Sequence, residues 1–206
     1  MNLPAHHPRD QEHTPFAKIL DDLCASAGVR SAALVDREGE TVDYAGKGEP
    51  FDIRILAAEW RLILHRVAES AILGSTIHLA VRAKRKSFLL VTLPEGYALI
   101  IELGRRSVGA SERALAHTRR ALCREAGFCD DQAAGLEWLR VEVREEKGHT
   151  RRPQSISREG AREEVLVLGR IFTPEYPTER SFRVRLASGE ERTLVREPFG
   201  HWYIEN

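Results

Sequence analysis

Apolar positions between residues 52 and 74 recur with the 3.6-residue period of an α-helix, and they do so on two sides of that helix. Asp52 is the predicted N-cap and Gly74 the predicted left-handed stop. One side is a core stripe that comprises Leu56, Trp60, Ile63, Leu64, Val67 and Ala71. Nearly opposite lies a second apolar stripe that comprises Ile55, Ala58, Leu62 and Leu73. Because a small domain has one core, the second stripe is predicted to meet another chain.

Helix and strand signals on either side of this central helix predict an α/β (α+β) domain. Thr14 and Pro15 open a first helix as N-cap and first-turn residue, and a third helix over 111–126 stops at Gly127. Five strands are predicted, at residues 31–36, 40–45, 75–83, 87–93 and 97–103. The order α-β-β-α-β-β-β-α fits one five-stranded antiparallel sheet between helices. The last two strands are continuously apolar, so they belong in the middle of that sheet.

The composition changes after Cys129, and only strands are predicted beyond it. Apolar and polar residues alternate over 139–143, and strand patterns return at 165–172, 182–186 and 192–195. Residues 145–162 are polar, charged and poor in apolar side chains, which predicts a long loop or disordered linker. We therefore predict a small β-rich domain, a barrel or a sheet, over residues 130–206. No family resemblance is identified in this part.

Residues 14–129 resemble the roadblock/dynein light chain superfamily in element order, in helix lengths and in one strand-turn pattern. That pattern is Ala33-Leu34-Val35-Asp36-Arg37-Glu38-Gly39. Within the superfamily, the region is most similar in style to the bacterial MglB-like group, which regulates a small Ras-like GTPase. The resemblance implies a homodimer with antiparallel central helices and edge-to-edge sheets, which would cover the second stripe and the exposed edge strand. The predicted dimer interface comprises Ala58, Leu62, Ile77 and Leu79.

A polar rim on one flank of the central helix is the predicted contact with the GTPase. It comprises Arg54, Arg61, His65 and Glu69. Polar side chains around a small apolar centre are typical of a transient interface. The resemblance implies binding where the two central helices lie together, with a preference for the GTP state. Relatives act by arranging the GTPase's own residues, so we assign no arginine finger and no other catalytic residue.

Charge and composition mainly exclude classes of partner and cellular targeting. Lysine plus arginine and aspartate plus glutamate number 31 each, so no net charge draws the chain to nucleic acid or anionic lipid. Residues 1–13 are polar and lack the apolar core of a secretory signal. The sequence contains no run of about 18 apolar residues, so no membrane span is predicted. We therefore expect a flexible tail over 1–13 and a cytoplasmic protein.

Candidate catalytic or metal-binding chemistry is sparse in the sequence. The eight histidines lack a metal-ligand spacing such as HExxH, and no GxSxG, Walker or GxGxxG motif occurs. The three cysteines form no CxxC pair, so Cys24 and Cys123 are predicted to be buried free thiols. Trp60 is assigned to the core, with a partner interface as the alternative. We predict no enzyme activity, no cofactor and no metal.

The sequence leaves two classes of function open. The leading prediction is a non-enzymatic dimeric regulator or scaffold that binds a small Ras-like GTPase and can modulate its GTP hydrolysis. The alternative is a nucleic-acid-binding module. It would use the basic hairpin tip at 82–86, with Arg82, Lys84, Arg85 and Lys86, together with Arg151, Arg152 and the C-terminal aromatic residues. The equal numbers of acidic and basic residues weigh against this alternative.

Overall fold

The computed structural model describes residues 13–26, 28–70, 76–104, 110–129, 138–146, 152–158, 160–172, 179–198 and 200–205. The chain divides into an N-terminal unit, Met1–Ala133, and a C-terminal unit, Ala134–Asn206. Nearly all of the predicted tail at 1–13 lies outside the described residues, so its flexibility stays a prediction.

The N-terminal unit has the predicted order α-β-β-α-β-β-β-α in its described residues. In chain order the elements are α1 (Pro15–Cys24), β1 (Val29–Val35), β2 (Thr41–Gly46), α2 (Pro50–Ala68), β3 (His78–Arg82), β4 (Ser87–Thr92), β5 (Ala98–Leu103) and α3 (Glu112–Ala126). The strands form one antiparallel sheet in the order β2-β1-β5-β4-β3. A short 3₁₀ turn, Pro94–Gly96, joins β4 to β5. The predicted mixed α/β class and five-stranded antiparallel sheet are confirmed.

Helices cover both faces of this sheet, so the unit has two apolar cores. Residues of α1 and α3 pack on one face against Leu99 and Ile101 of β5. Residues of α2 pack on the other face against Leu90 of β4 and Ile100 of β5. Every residue of β5 is buried, and the strand pairs with β1 on one side and β4 on the other. This confirms that the continuously apolar strands lie in the middle of the sheet.

The start of α1 and both ends of α3 follow signals in the sequence, whereas α1 ends at Cys24 with Ala25 as its C-cap and not at Gly28 as predicted. The Thr14 hydroxyl accepts a hydrogen bond from the Ala17 N–H at 3.2 Å. The Ser111 hydroxyl likewise accepts from the Ala114 N–H at 2.9 Å. Gly127 ends α3 in the left-handed conformation, with φ of 71°. Capping depends on contacts within one turn, and therefore it was predictable from the local sequence.

The ends of α2 differ from the prediction. Its N-cap is Glu49, and Pro50 occupies the first helical position. Asp52 therefore lies inside the first turn, where its carboxylate faces the positive end of the helix dipole. The C-cap is Glu69 in a right-handed conformation. The predicted stop, Gly74, lies outside the described residues.

The C-terminal unit is a closed six-stranded antiparallel barrel, which confirms the predicted small all-β architecture. Its strands are β6 (Trp138–Glu145), β7 (Pro153–Arg158), β8 (Ala161–Ile171), β9 (Arg180–Leu186), β10 (Glu191–Arg196) and β11 (Trp202–Glu205). Neighbours in the chain are neighbours in the barrel, and β11 closes it by pairing with β6. Its core comprises Val141, Ile156, Val165, Phe182, Val184, Leu194, Trp202 and Ile204.

The loop or disordered linker predicted at 145–162 is wrong for the part that the structure describes. β7 lies within this segment and pairs with the first residues of β8, so that Arg158 stands opposite Ala161. Pro153, Ser155 and Ile156 of β7 are buried. The segment appears polar because a barrel strand turns alternate residues to solvent, and one of the buried positions here is a serine.

Candidate functional site

Helix α2 exposes large apolar side chains on the side that faces away from the sheet. The exposed fractions are 66% for Phe51, 47% for Ile55 and 64% for Leu62. With the half-buried Ala58, these residues form a row at helical spacing, which we name the outer stripe of α2. The side facing the sheet is buried at Ile53, Ala57 and Leu64. The helix therefore has two apolar sides, and the unit itself covers one of them.

The two stripes predicted from the sequence agree with the structure only in part. Ile55 and Leu62 of the predicted second stripe are exposed, while Leu73 lies outside the described residues. Ile63, predicted in the core, is 43% exposed. The centre of the buried side lies at Ala57 and Leu64, and Ile63 is rotated about 100° from Leu64. Phe51 was missed because the predicted helix began one residue after it.

The edge strand β3 borders the same core as α2. Among the described residues, this strand pairs with β4 alone. Leu79 is half-buried and packs against the core beneath α2, and Ile77, just before the strand, is 45% exposed. Trp60 of α2 lies on Phe88 of β4 with ring centroids 4.7 Å apart, so its assignment to the core is confirmed. The assignment of Ile77 and Leu79 to a dimer interface stays a prediction.

Arg61, a residue of the predicted rim, bridges α2 to two turns of its own unit. Its Nε donates to the main-chain oxygen of Asp36 at 3.2 Å, and Nη2 donates to that of Gly96 at 2.9 Å. Nη2 also lies 3.4 Å from the oxygen of Arg37. Gly96 has φ of 78°, and a Cβ there would lie 2.9 Å from the Arg37 Cβ, so only glycine fits. Arg61 thus has a structural role, and its contact with a partner stays a prediction.

The other rim residues lie on the exposed surface of α2 or at its border. The Glu69 carboxylate accepts from Arg66 Nη1 at 3.2 Å and lies 3.2 Å from His65 Nε2. Exposed pairs of this kind stabilise a helix by only about 0.3–0.5 kcal/mol, so they can exchange for a partner's groups. Arg54 is half-buried, in the N-terminal half of the helix. The structure therefore places the four predicted residues along α2 without joining them into one cluster.

The basic hairpin tip of the nucleic-acid alternative is exposed at residues 82–86. One cation of the tip already forms an ion pair within the N-terminal unit, because Lys86 Nζ lies 3.3 Å from the buried carboxylate of Glu102. Arg30 contacts the same carboxylate at 3.5 Å. This pairing lowers the charge that the tip offers to a phosphate backbone.

The described cysteines show one buried, one partly buried and one exposed thiol, at Cys123, Cys24 and Cys129 respectively. Burial, reinforced by the charge of Asp21, raises the pKa of Cys24 to about 12. The described residues contain no group of histidine, cysteine or acidic side chains that could hold a metal ion. Among the described helices, none is long and apolar enough to cross a bilayer.

No protein-family model and no curated protein matches this chain, whereas solved structures match its N-terminal part. Myxococcus xanthus MglB is 18% identical with a TM-score of 0.48, over 57% of this chain and 98% of that chain. A roadblock/LC7 domain from Streptomyces avermitilis is 19% identical with a TM-score of 0.43, over 53% and 92%. The gliding protein MglB of Thermus thermophilus is 19% identical with a TM-score of 0.45, over 55% and 89%. At these identities the likeness is at most one of fold.

Proposed function

We propose that this chain is a non-enzymatic, dimeric regulator or scaffold that binds a small Ras-like GTPase in the cytoplasm. One observation carries the proposal: the outer stripe of α2 presents Phe51, Ile55 and Leu62 to solvent. Contiguous exposed apolar side chains of this kind are typical of protein interaction sites. The resemblance of the N-terminal unit to the roadblock superfamily supplies the class of partner.

The first partner in this proposal is a second copy of the chain. Two copies of α2 would pack antiparallel through their outer stripes, with Ala58 and Leu62 near the two-fold axis. The edge strands β3 would then approach one another, with Ile77 and Leu79 beside the helices. A two-fold contact covers the same patch on both copies. It also removes an open strand edge, which is otherwise a site of aggregation.

The GTPase would bind beside the paired helices, on the surface that carries the polar rim. Arg54, His65 and Glu69 surround the outer stripe with groups that can form charged contacts. Such contacts set specificity and association rate more than affinity. The chain would recognise the GTP-bound state and modulate hydrolysis by positioning the GTPase's own residues.

Binding to Ras-like GTPases encoded by the same genome tests this proposal. Each purified GTPase is loaded with a non-hydrolysable GTP analogue or with GDP, and its affinity for the full chain is measured by calorimetry. We expect tighter binding in the GTP state, and a loss of about tenfold or more in the variant Arg54→Glu, where a like-charge contact replaces an attractive one. Arg66→Glu, at an exposed position on the other flank of α2, is the matched control.

Absence of binding to any of these GTPases in either nucleotide state would refute the proposal. An affinity that is unchanged in Arg54→Glu would place the contact away from the predicted rim. Arg61→Glu is a poor first variant, because it also breaks the hydrogen bonds of Arg61 to Asp36 and Gly96. Its effect on stability has to be measured separately.

A further inference from the structure

The C-terminal barrel contains a groove beside the C-terminal half of β8 and the start of β9, next to the residue that precedes β7. The ladder between β7 and β8 covers residues from Ser155 to Arg158 against residues from Ala161 to Glu164. β8 continues to Ile171 alongside β9, and its register shifts between Val167 and Gly169. A cavity of ≈ 430 Å³ opens here, within the usual range for a small-molecule site. Its described lining comprises Arg152, Val167, Leu168, Gly169, Arg170, Arg180 and Phe182.

Three arginines from three strand regions line this groove, which we name the arginine groove. Arg152 immediately precedes β7, Arg170 lies on β8, and Arg180 begins β9. No carboxylate belongs to the described lining. Within the described part of the chain, none of the three guanidinium groups has an ion-pair partner. The groove therefore concentrates positive charge in a chain whose net charge is zero.

Several other arginines of the barrel lie beside carboxylates. Arg183 and Arg185 lie 3.1 Å and 2.8 Å from the Glu191 carboxylate. Arg196 lies 2.9 Å from Glu145. Several barrel arginines are thus paired with acidic residues, while Arg162 instead donates to the Ser155 hydroxyl at 3.0 Å. Among the described residues of the groove, no such pairing is seen.

The floor of the arginine groove is apolar and well supported. Phe182 is buried and packs on Trp202 with ring centroids 5.9 Å apart, so the groove reaches the barrel core. Val167 is half-buried beside it. A Cβ at Gly169 would meet no atom within 4 Å, so the groove is open at this position. The site therefore combines an apolar floor with cationic walls.

We propose that the arginine groove binds a phosphate-bearing small molecule of nucleotide size. Arginine offers a planar fork of donors that matches phosphate oxygens, and charge-assisted bonds of this kind are about twice as strong as neutral ones. The apolar floor accommodates a ring system. Both features lie within the C-terminal unit, so the site is independent of the outer stripe of α2 and of any GTPase.

Calorimetric titration of the full chain with ATP, pyrophosphate and adenosine tests the site. We expect one ATP per chain, weaker binding of pyrophosphate, no binding of adenosine, and an affinity that falls as salt is raised. Arg170→Gln and Arg180→Gln should each weaken ATP binding about tenfold or more. Arg185→Gln is the matched control, because it removes the same charge from β9 outside the groove and should leave the affinity unchanged.

A second pair of variants separates ligand binding from folding. Gly169→Ala and Gly169→Glu both fit the open space, but only glutamate places a negative charge in the groove. We expect Gly169→Ala to retain ATP binding and Gly169→Glu to abolish it. The two variants should have the same midpoint of thermal unfolding. Undetectable binding of ATP and pyrophosphate at millimolar concentration would overturn the proposal. Equal affinity in all variants would also overturn it, as would binding that requires an oligonucleotide and grows with its length.

Discussion

Arg61 of α2 donates a hydrogen bond to the main-chain oxygen of Gly96 at 2.9 Å. The same side chain reaches the turn between β1 and β2 through the oxygen of Asp36. One guanidinium therefore joins the helix to two turns at one end of the sheet. This bridge and the core beneath α2 together set the rotation of the helix, and hence the direction in which Leu62 points.

Loss of this bridge should destabilise the N-terminal unit. We expect Arg61→Ala to lower the free energy of unfolding by about 1–2 kcal/mol, because main-chain oxygens lose a charged donor that water only partly replaces. Arg61→Lys should recover part of this loss, since an ammonium group can reach one oxygen but not two turns. Denaturant unfolding measures both variants. Arg66→Ala, on the exposed side of α2, is the control, and a loss as large as that of Arg61→Ala would contradict a bridging role.

Replacement of Leu62 by glutamate should separate the proposed dimer. A carboxylate in the outer stripe would face its own copy near the two-fold axis, where burial of an unpaired charge is unfavourable. Light scattering should give a mass of twice 23.3 kDa for the unmodified chain and the single mass for Leu62→Glu. Lys18→Glu, on the exposed side of α1, should remain dimeric. A monomeric unmodified chain would rule out the dimer.

Thr14 should contribute to stability through two contacts. Its hydroxyl caps α1 by accepting from the Ala17 N–H, and it also donates to the buried Asp43 carboxylate on β2. We expect Thr14→Ala to lower the free energy of unfolding by about 1–2 kcal/mol, at the upper end for a helix cap. Thr14→Ser keeps the hydroxyl, and its free energy of unfolding should differ from that of the unmodified chain by only a few tenths of a kcal/mol. Equal midpoints of thermal unfolding for Ala and Ser would show that the hydroxyl contributes nothing.

Alkaline solution should destabilise the protein partly through Cys24. Burial raises the pKa of this thiol from 9.0 to about 12, so the unfolded chain loses its proton first as the pH rises. The folded state then binds more protons than the unfolded state, and stability falls with pH between those values. We expect Cys24→Ala to show a smaller decrease in unfolding midpoint between pH 8 and pH 10. The same decrease in both proteins would assign the effect to other groups.

Local signals in the chain were enough to predict most of the N-terminal elements. Capping at Thr14 and the left-handed stop at Gly127 depend on atoms within one helical turn. The central position of β5 followed from its unbroken run of apolar residues, because only a strand covered on both faces tolerates such a run. The exposed position of Leu62 followed from the period of the helix.

Packing between segments that are distant in the chain decided the other features, namely which side chains of α2 are buried, the strand β7 and the arginine groove. Ile63 and Ile53 are equally apolar, and the sheet beneath α2 determines that Ile53 is buried while Ile63 is exposed. β7 is polar by composition, and its partners β6 and β8 make it a strand. The arginine groove brings together residues up to 30 positions apart in the chain, Arg152 and Phe182 among them, so no local pattern marks it. Periodicity reports which positions can share a face of one element, whereas burial depends on the neighbours that long-range pairing supplies.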